Sequence, residues 1–250
     1  MRKEDSRWSK LFARLLDLVY TPQCALCGEV LKYGRSLCDG CAGELPRLTP
    51  PFCAKCAEPF HGRIEGEFQC HNCGELAFAF EFARPAMLRD ERTRELVHQL
   101  KYGRAIHLAE ELGRLAAEAF TDERLQPALA AQWPLVPVPL HRSRFQHRNF
   151  NQAAEIARVV AQLTGLPLLA ALARIRRTDT QALLGRKERL KNLHGAFALT
   201  SAGRRHLDTS AAGAILIDDV LTTGSTVEAC ASTLRRAGFE AVLVVTVMRG

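Results

Sequence analysis

Eight cysteines in four CxxC pairs are the residues of this chain whose spacing points most directly to chemistry. The pairs, which lie within 50 of the 250 residues, are Cys24/Cys27, Cys38/Cys41, Cys53/Cys56 and Cys70/Cys73. Two residues between thiols let one tight turn aim both sulfurs at an ion, and two such turns complete a tetrahedral Cys₄ site. We therefore predict two structural zinc ions, with redox CxxC chemistry or an iron–sulfur cluster as alternatives. We expect the first two pairs to share one ion and the last two the other, although the spacing also permits a cross-braced pairing.

A second candidate site lies in residues 214–227. An apolar run ends in Asp218 and Asp219, and a turn of small residues follows: Thr222, Thr223, Gly224, Ser225 and Thr226. The pattern predicts a buried strand, a turn and a helix, and in open α/β sheets ligands bind beyond the carboxyl ends of strands. The free N–H groups and positive dipole end of a helix start suit a phosphate.

The two acids distinguish this segment from an ordinary helix cap. A Ser/Thr cap would account for the hydroxyl residues. It would not account for Asp218 and Asp219 at the end of an apolar strand, where unpaired charge is costly. Carboxylates accept hydrogen bonds and ligate hard cations, so we expect them to hold sugar hydroxyls or a magnesium ion.

The rest of the chain alternates predicted strands with predicted helices. Strands apolar on both faces indicate a mostly parallel sheet flanked by helices, which is an α/β fold. The predicted strands are 76–82, 135–139, 172–175, 195–199, 213–219 and 241–248, and the clearest helices are 90–101, 151–163 and 225–237.

The charge and the first residues suggest partners. A net charge of +7 favours a polyanion, although a solvated basic surface would explain it equally. Residues 1–22 form a predicted basic amphipathic helix, with Trp8, Leu11 and Leu15 at helical spacing, which could pack on the protein's own core, a partner or a membrane surface. With no apolar run of about 20 residues and no secretory signal, we expect a cytoplasmic protein, with peripheral attachment at the inner face of the membrane as an alternative.

The motif from Ile217 to Thr226 resembles the signature of the type I phosphoribosyltransferases. From Cys24 onward the chain is similar to the ComF/GntX family, which joins zinc ribbons to a phosphoribosyltransferase-like domain. Further matching motifs are Leu100-Lys101-Tyr102-Gly103, Val136-Pro137-Val138-Pro139, Asn151-Gln152, and Gln181 with Arg186, Arg189 and Asn192. The resemblance implies a double zinc ribbon over 23–75 and a phosphoribosyltransferase-like domain over 76–250.

The resemblance also implies roles for individual residues. Asp218 and Asp219 would hold the ribose of phosphoribosyl pyrophosphate (PRPP) with magnesium, and residues 222–226 would hold its 5′-phosphate. The pyrophosphate would lie on a cationic stretch that contains His141, Arg142, Arg144 and Arg148. A cationic lid over 176–191 would place Arg186 at the reacting groups as a catalytic residue. Such a lid could equally bind nucleic-acid phosphates. One departure is Asn149, where the family usually has glycine; asparagine tolerates a positive φ, so we expect the turn to be retained.

Two functions follow from the resemblance. The chain is either a transferase that moves a phosphoribosyl group with release of magnesium pyrophosphate, or a non-catalytic protein that binds single-stranded DNA on the same scaffold. ComF-like proteins are associated with natural competence and DNA utilisation, so both functions would lie in the handling of external DNA. No residue identifies the acceptor of a transferred group.

Overall fold

The computed structural model describes residues 21–250 except 33, 61, 65, 75–76, 104, 178–191 and 210–212. The predicted helix at 1–22 lies outside the described residues apart from its last two positions. Most of the predicted lid also lies outside them, including Gln181, Arg186 and Arg189. The described residues fall into two compact units that divide after Leu45. The second group of cysteines therefore belongs to the larger unit.

A four-stranded parallel sheet forms the centre of the larger unit. Its strands are β1 (Ala83–Leu88), β2 (Leu135–Pro137), β5 (Ala214–Leu221) and β6 (Val242–Arg249), in the order β1-β6-β5-β2. Two shorter strands, β3 (Leu172–Arg174) and β4 (Phe197–Leu199), pair antiparallel as a separate ribbon. The predicted α/β fold with a mostly parallel sheet is confirmed.

Helices flank this sheet. In chain order the α-helices of the described residues are α1 (Asp39–Gly43), α2 (His71–Gly74), α3 (Glu91–Tyr102), α4 (Leu108–Ala117), α5 (Gln126–Ala130), α6 (Arg142–Arg148), α7 (Gln152–Thr164), α8 (Ser201–Leu207) and α9 (Ser225–Ala237). Short 3₁₀ turns follow α4 at Glu118–Thr121 and Glu123–Leu125.

Capping residues determine where the helices near the candidate site begin and end. Asp90 caps α3, accepting from the Thr93 amide at 2.7 Å while the Thr93 hydroxyl accepts from the Asp90 amide at 2.9 Å. This capping box fixes the start of α3, whose last turn carries Lys101. Helix α9 occupies the predicted 225–237 and ends at Gly238, whose φ is +119°.

The sheet core explains why β5 stays in place. All residues of β5 except Val220 are buried, and β6 is buried up to Met248. The core cluster includes Val136, Leu216, Val227, Leu234 and Val244, which come from β2, β5, α9 and β6. Each fully buried aliphatic side chain contributes roughly 1.5–3 kcal/mol, so the strand that carries the two aspartates is firmly held.

Some predicted elements were wrong. The strand predicted at 76–82 lies instead at Ala83–Leu88. It was not recognised in the sequence because Arg84 and Pro85 interrupt its apolar pattern. Proline is tolerated there, since β1 is an edge strand of the four-stranded sheet. Helices α6 and α8 were not predicted.

Candidate ribose-phosphate site and zinc centres

Two groups of four cysteines are assembled as the sequence suggested. One contains Cys24, Cys27, Cys38 and Cys41 and the other Cys53, Cys56, Cys70 and Cys73, with the sulfurs of each group within 4.8 Å of one another. The Cys27–Cys38 and Cys56–Cys70 sulfurs are 3.7 and 3.6 Å apart. A tetrahedral zinc with bonds of about 2.3 Å places its sulfurs about 3.8 Å apart, so both groups fit the ion. Sequential pairing is confirmed and the cross-braced alternative is wrong.

The second group of cysteines is a buried structural centre. All four of its cysteines are buried, and Phe68 and Phe78 pack against it. Burial raises the pKa of the Cys53 thiol, but amides of Cys56, Cys70 and Lys55 outweigh it and bring the pKa down to about 7. In the same group burial raises the pKa of the Cys56 thiol to about 11, and zinc binding would favour the thiolate form of all four, because the thiolate is the ligand.

Asp218 and Asp219 lie near the carboxyl end of β5 and are 9% and 3% exposed. Lys101 of α3 brings its Nζ to 2.8 Å from Asp219 Oδ2. The Asp219 amide donates to Asp218 Oδ1 at 2.9 Å. The two acids are thus held inside the protein, and the Lys101 ammonium compensates one negative charge.

Within the described residues, no ion pair is found at Asp218 like the one that Lys101 makes with Asp219. Burial first, and then the charge of Asp219, raise the pKa of Asp218 to about 8, although Lys101 opposes the rise. Arg174 of β3 lies close enough for its charge to act on Asp218 and on the buried Cys230 thiol of α9. Burial and the neighbouring carboxylate therefore favour the protonated form of Asp218.

The predicted phosphate turn begins directly after β5. Gly224 takes φ +75° as the N-cap of α9, a left-handed conformation that favours glycine. The Thr223 and Ser225 hydroxyls are 2.9 Å apart, and the Ser225 amide lies 3.5 Å from Thr223 Oγ1. The first N–H groups of any helix lack an intrahelical acceptor. Beside hydroxyl groups they form an arrangement that suits an anion.

Arg249 at the end of β6 holds the start of the turn. Its Nη1 donates to the carbonyls of Leu221 and Thr222, at 2.8 Å each. The start of the turn is therefore held through its carbonyls by a guanidinium group.

The cationic stretch after β2 lies next to β5, because β2 and β5 pair in parallel. The Val138 amide donates to the Ile217 carbonyl at 2.9 Å, and Asn151 Nδ2 donates to the Val138 carbonyl at 3.0 Å. The structure thus brings the segment that leads into α6 to the same edge of the sheet as Asp218.

The four residues predicted to bind pyrophosphate have different surroundings. His141 caps α6, with Nδ1 accepting from the Ser143 amide at 3.3 Å, and Arg142 and Arg144 follow in the first turn. Arg148 donates to Gln152 Oε1 at 3.0 Å, and its guanidinium lies 4.9 Å from the centre of the Tyr102 ring. His141 and Arg148 are thus engaged within the protein, and Arg142 and Arg144 lie in the first turn of the helix.

Comparison with known proteins agrees with this architecture. A double zinc ribbon domain model matches residues 15–76. The chain is 30% identical over 226 residues to DNA utilization protein YhgH of Salmonella typhimurium, covering 88% of this chain and 87% of that protein. It is 26% identical over 231 residues to Competence protein F of Haemophilus influenzae, covering 89% and 94%, and 29% identical over 231 residues to YhgH of Escherichia coli K12, covering 88% and 94%.

The chain belongs to the ComF family. Within it, this member keeps a left-handed turn at Asn149, where φ is +65° and the amide donates to the Phe145 carbonyl at 2.6 Å. The expectation that asparagine retains a turn at this position is confirmed. None of the helices in the described part of the chain combines the length and apolar character needed to cross a bilayer.

Sequence reasoning overlooked two basic residues in this ComF-family site. Lys101 was recognised only as part of a matching motif, and Arg174 only as part of a strand, yet their charges act on Asp219 and Asp218. The spacing along the chain gave no sign of either contact. A lysine in the last turn of the helix after β1 was the one available signal for Lys101, since helix ends and strand ends meet at the edge of an α/β sheet.

Proposed function

We propose that this ComF-family chain binds PRPP together with magnesium at the carboxyl edge of β5, and that it acts in natural competence or the utilisation of external DNA. The observation that carries the proposal is the direct succession of two buried acids and a helix-start turn. Asp218 and Asp219 lie near the carboxyl end of β5, and Gly224, five residues after Asp219, is the N-cap of α9. Acceptors for sugar hydroxyls and donors for a phosphate are then one short turn apart.

Two different parts of PRPP would contact these two groups of residues. Amides at the start of α9 and the hydroxyls of Thr223 and Ser225 bind the 5′-phosphate, since they are donors next to a positive helix end. Asp218 and Asp219 accept from the ribose 2′- and 3′-hydroxyls. Carboxylate oxygens also ligate magnesium, which would neutralise part of the diphosphate charge.

The diphosphate of PRPP lies, in this proposal, against the start of α6. Arg142 and Arg144 supply positive charge there. Bound in this way, PRPP is set up for displacement at C1: a nucleophile forms a bond to C1, the C1–oxygen bond breaks, and pyrophosphate leaves with the bonding electrons. The protein would mainly position the groups and stabilise the charge of the departing pyrophosphate.

The cellular part of the proposal comes from the relatives. Proteins matched over nearly the whole chain are named Competence protein F and DNA utilization protein YhgH. A basic chain with two zinc ribbons is compatible with work on DNA, since its net charge is +7. We infer the same setting for this chain.

Calorimetry with magnesium and PRPP tests the binding proposal. The full zinc-loaded chain should bind PRPP, and the double variant Asp218→Asn/Asp219→Asn should bind at least about tenfold more weakly, because amides replace charged acceptors. Asp208→Asn is the matched control, since Asp208 is exposed at the end of α8. Equal affinity in the double variant and in wild type would refute the proposal. Pyrophosphate release in the presence of candidate acceptors tests transfer separately.

Binding of single-stranded DNA is the second candidate function, and Tyr102 favours it. The Tyr102 ring is 61% exposed, His98 lies against it with ring centres 4.9 Å apart, and Arg148 lies over it. An exposed aromatic ring beside a guanidinium group is a typical stacking platform for bases. Fluorescence anisotropy with an oligothymidylate should show affinity that falls steeply with salt. The Tyr102→Ala variant should weaken it about tenfold; unchanged affinity in this variant would count against the platform.

A further inference from the structure

Arg249 has a second partner besides the phosphate turn. Its Nη1 contacts the Leu221 and Thr222 carbonyls, whereas its Nη2 donates to Glu58 Oε2. The arginine side chain is only 10% exposed. A guanidinium group presents five donors in a planar fork, so one arginine can hold two segments in a fixed relation.

Glu58 belongs to the second zinc centre. It lies two residues after Cys56, and its carbonyl accepts from the Cys53 amide at 2.8 Å. Ala57, between them, has φ +58°, and its amide donates to the Cys53 carbonyl at 2.8 Å. The backbone at Glu58 is therefore part of the closed turn that aims the Cys53 and Cys56 sulfurs at the ion.

We propose that the Glu58–Arg249 pair couples the second zinc centre to the phosphate turn, with Arg249 as the positioning residue that transmits the coupling. With zinc bound, the turn around Cys53 is fixed, Glu58 holds Arg249, and Arg249 holds the carbonyls that precede the donors of the phosphate site. Loss of zinc would release Glu58 and leave the turn at 222–226 less well ordered. The coupling rests on the proposed function only where it concerns PRPP.

Thermodynamic reciprocity requires the coupling between zinc and ligand to act in both directions. If an ordered zinc centre favours binding of the phosphorylated ligand, then the ligand must favour retention of zinc at that centre. The first zinc centre serves as an internal comparison, since its four cysteines belong to the smaller unit. PRPP should therefore slow zinc loss from the second group of cysteines and leave the first unaffected.

Hydrogen exchange followed by mass spectrometry on the full zinc-loaded chain tests the coupling without any ligand. In Glu58→Gln the peptide covering 220–228 should exchange about threefold faster than in wild type, because local opening becomes easier. Glu118→Gln is the matched control: Glu118 pairs with Arg47 at 3.0 Å and is 44% exposed, against 47% for Glu58. Arg249→Lys should also speed exchange, because an ammonium group cannot reproduce the fork.

A second arm adds PRPP and a chromogenic zinc chelator. Magnesium PRPP should slow zinc release from the second centre about threefold or more in wild type but not in Glu58→Gln. The coupling would be overturned if the peptide 220–228 exchanged at the same rate in Glu58→Gln and in wild type. It would also be overturned if PRPP slowed zinc release equally in both proteins. Faster exchange in Glu58→Gln with no PRPP binding to wild type would support the coupling and refute the proposed ligand.

Discussion

Lys101 and Asp219 form an ion pair across the candidate site, with Nζ 2.8 Å from Oδ2. The two residues are far apart in the sequence and come from the end of α3 and the end of β5. Lys101 is 21% exposed and the Asp219 side chain 5%, so the pair is largely withdrawn from water. Lys101 thus contacts one of the acceptors that we propose for ribose or magnesium.

Removal of Lys101 should destabilise the protein. Lys101→Met leaves the Asp219 charge buried without its closest partner, and we expect a loss of about 2–4 kcal/mol in the free energy of unfolding. In Lys101→Met/Asp219→Asn the uncompensated charge is gone, so much of the stability should return. Chemical unfolding of the three proteins measures both effects. A double variant no more stable than Lys101→Met would show that the ion pair is not the cause.

Asp218 should make stability depend on pH. Burial and the charge of Asp219 raise its pKa from 3.8 to about 8, so the folded protein holds a proton that the unfolded chain releases above about pH 4. This contribution to stability is complete at low pH and is lost as the pH rises to about 8. Asp218→Asn lacks the dependence, so its melting temperature relative to wild type should rise between pH 5.5 and 8.5. Asp208→Asn should show no such trend, and a constant difference for Asp218→Asn would contradict the assignment.

The two zinc centres should contribute differently to the thermal stability of the larger unit. Wild type should hold two zinc ions per chain by elemental analysis, and Cys24→Ser and Cys53→Ser should each lose about one. The melting temperature of the larger unit should fall more in Cys53→Ser, because Cys53 is buried with Phe68 and Phe78 beside its centre. In the other centre, by contrast, Cys27 is exposed. Equal melting curves for both variants would contradict a structural role of the second centre in the larger unit.

Asn149 should tolerate glycine better than alanine. Its φ of +65° is strained for most side chains. Asn149→Ala should therefore cost about 1 kcal/mol in urea unfolding, whereas Asn149→Gly should be near neutral. An alanine variant as stable as the glycine variant would mean that the turn relaxes out of the left-handed region.

Local signals made much of the site predictable. The CxxC pairs identified both zinc centres, and the apolar run, acids and hydroxyl turn identified β5 and α9. Contacts between distant segments were not predictable, because periodicity shows which face of an element is buried but not which residue it meets. Lys101 on Asp219, Arg174 near Asp218 and Arg249 beneath the turn are all contacts of this kind. The edge strand β1 was missed for a different reason, since Pro85 weakens its strand pattern.

Phosphorus NMR of magnesium PRPP with the full zinc-loaded chain tests the central claim most directly, because the 5′-phosphate and the diphosphate give separate signals. We predict that both signals shift or broaden saturably with wild type. With Thr223→Val/Ser225→Ala, which removes the two hydroxyls 2.9 Å apart, the 5′-phosphate signal should respond far less. Signals that stay unchanged with wild type, or a 5′-phosphate signal that responds equally with both proteins, would contradict a ribose-phosphate site at the end of β5.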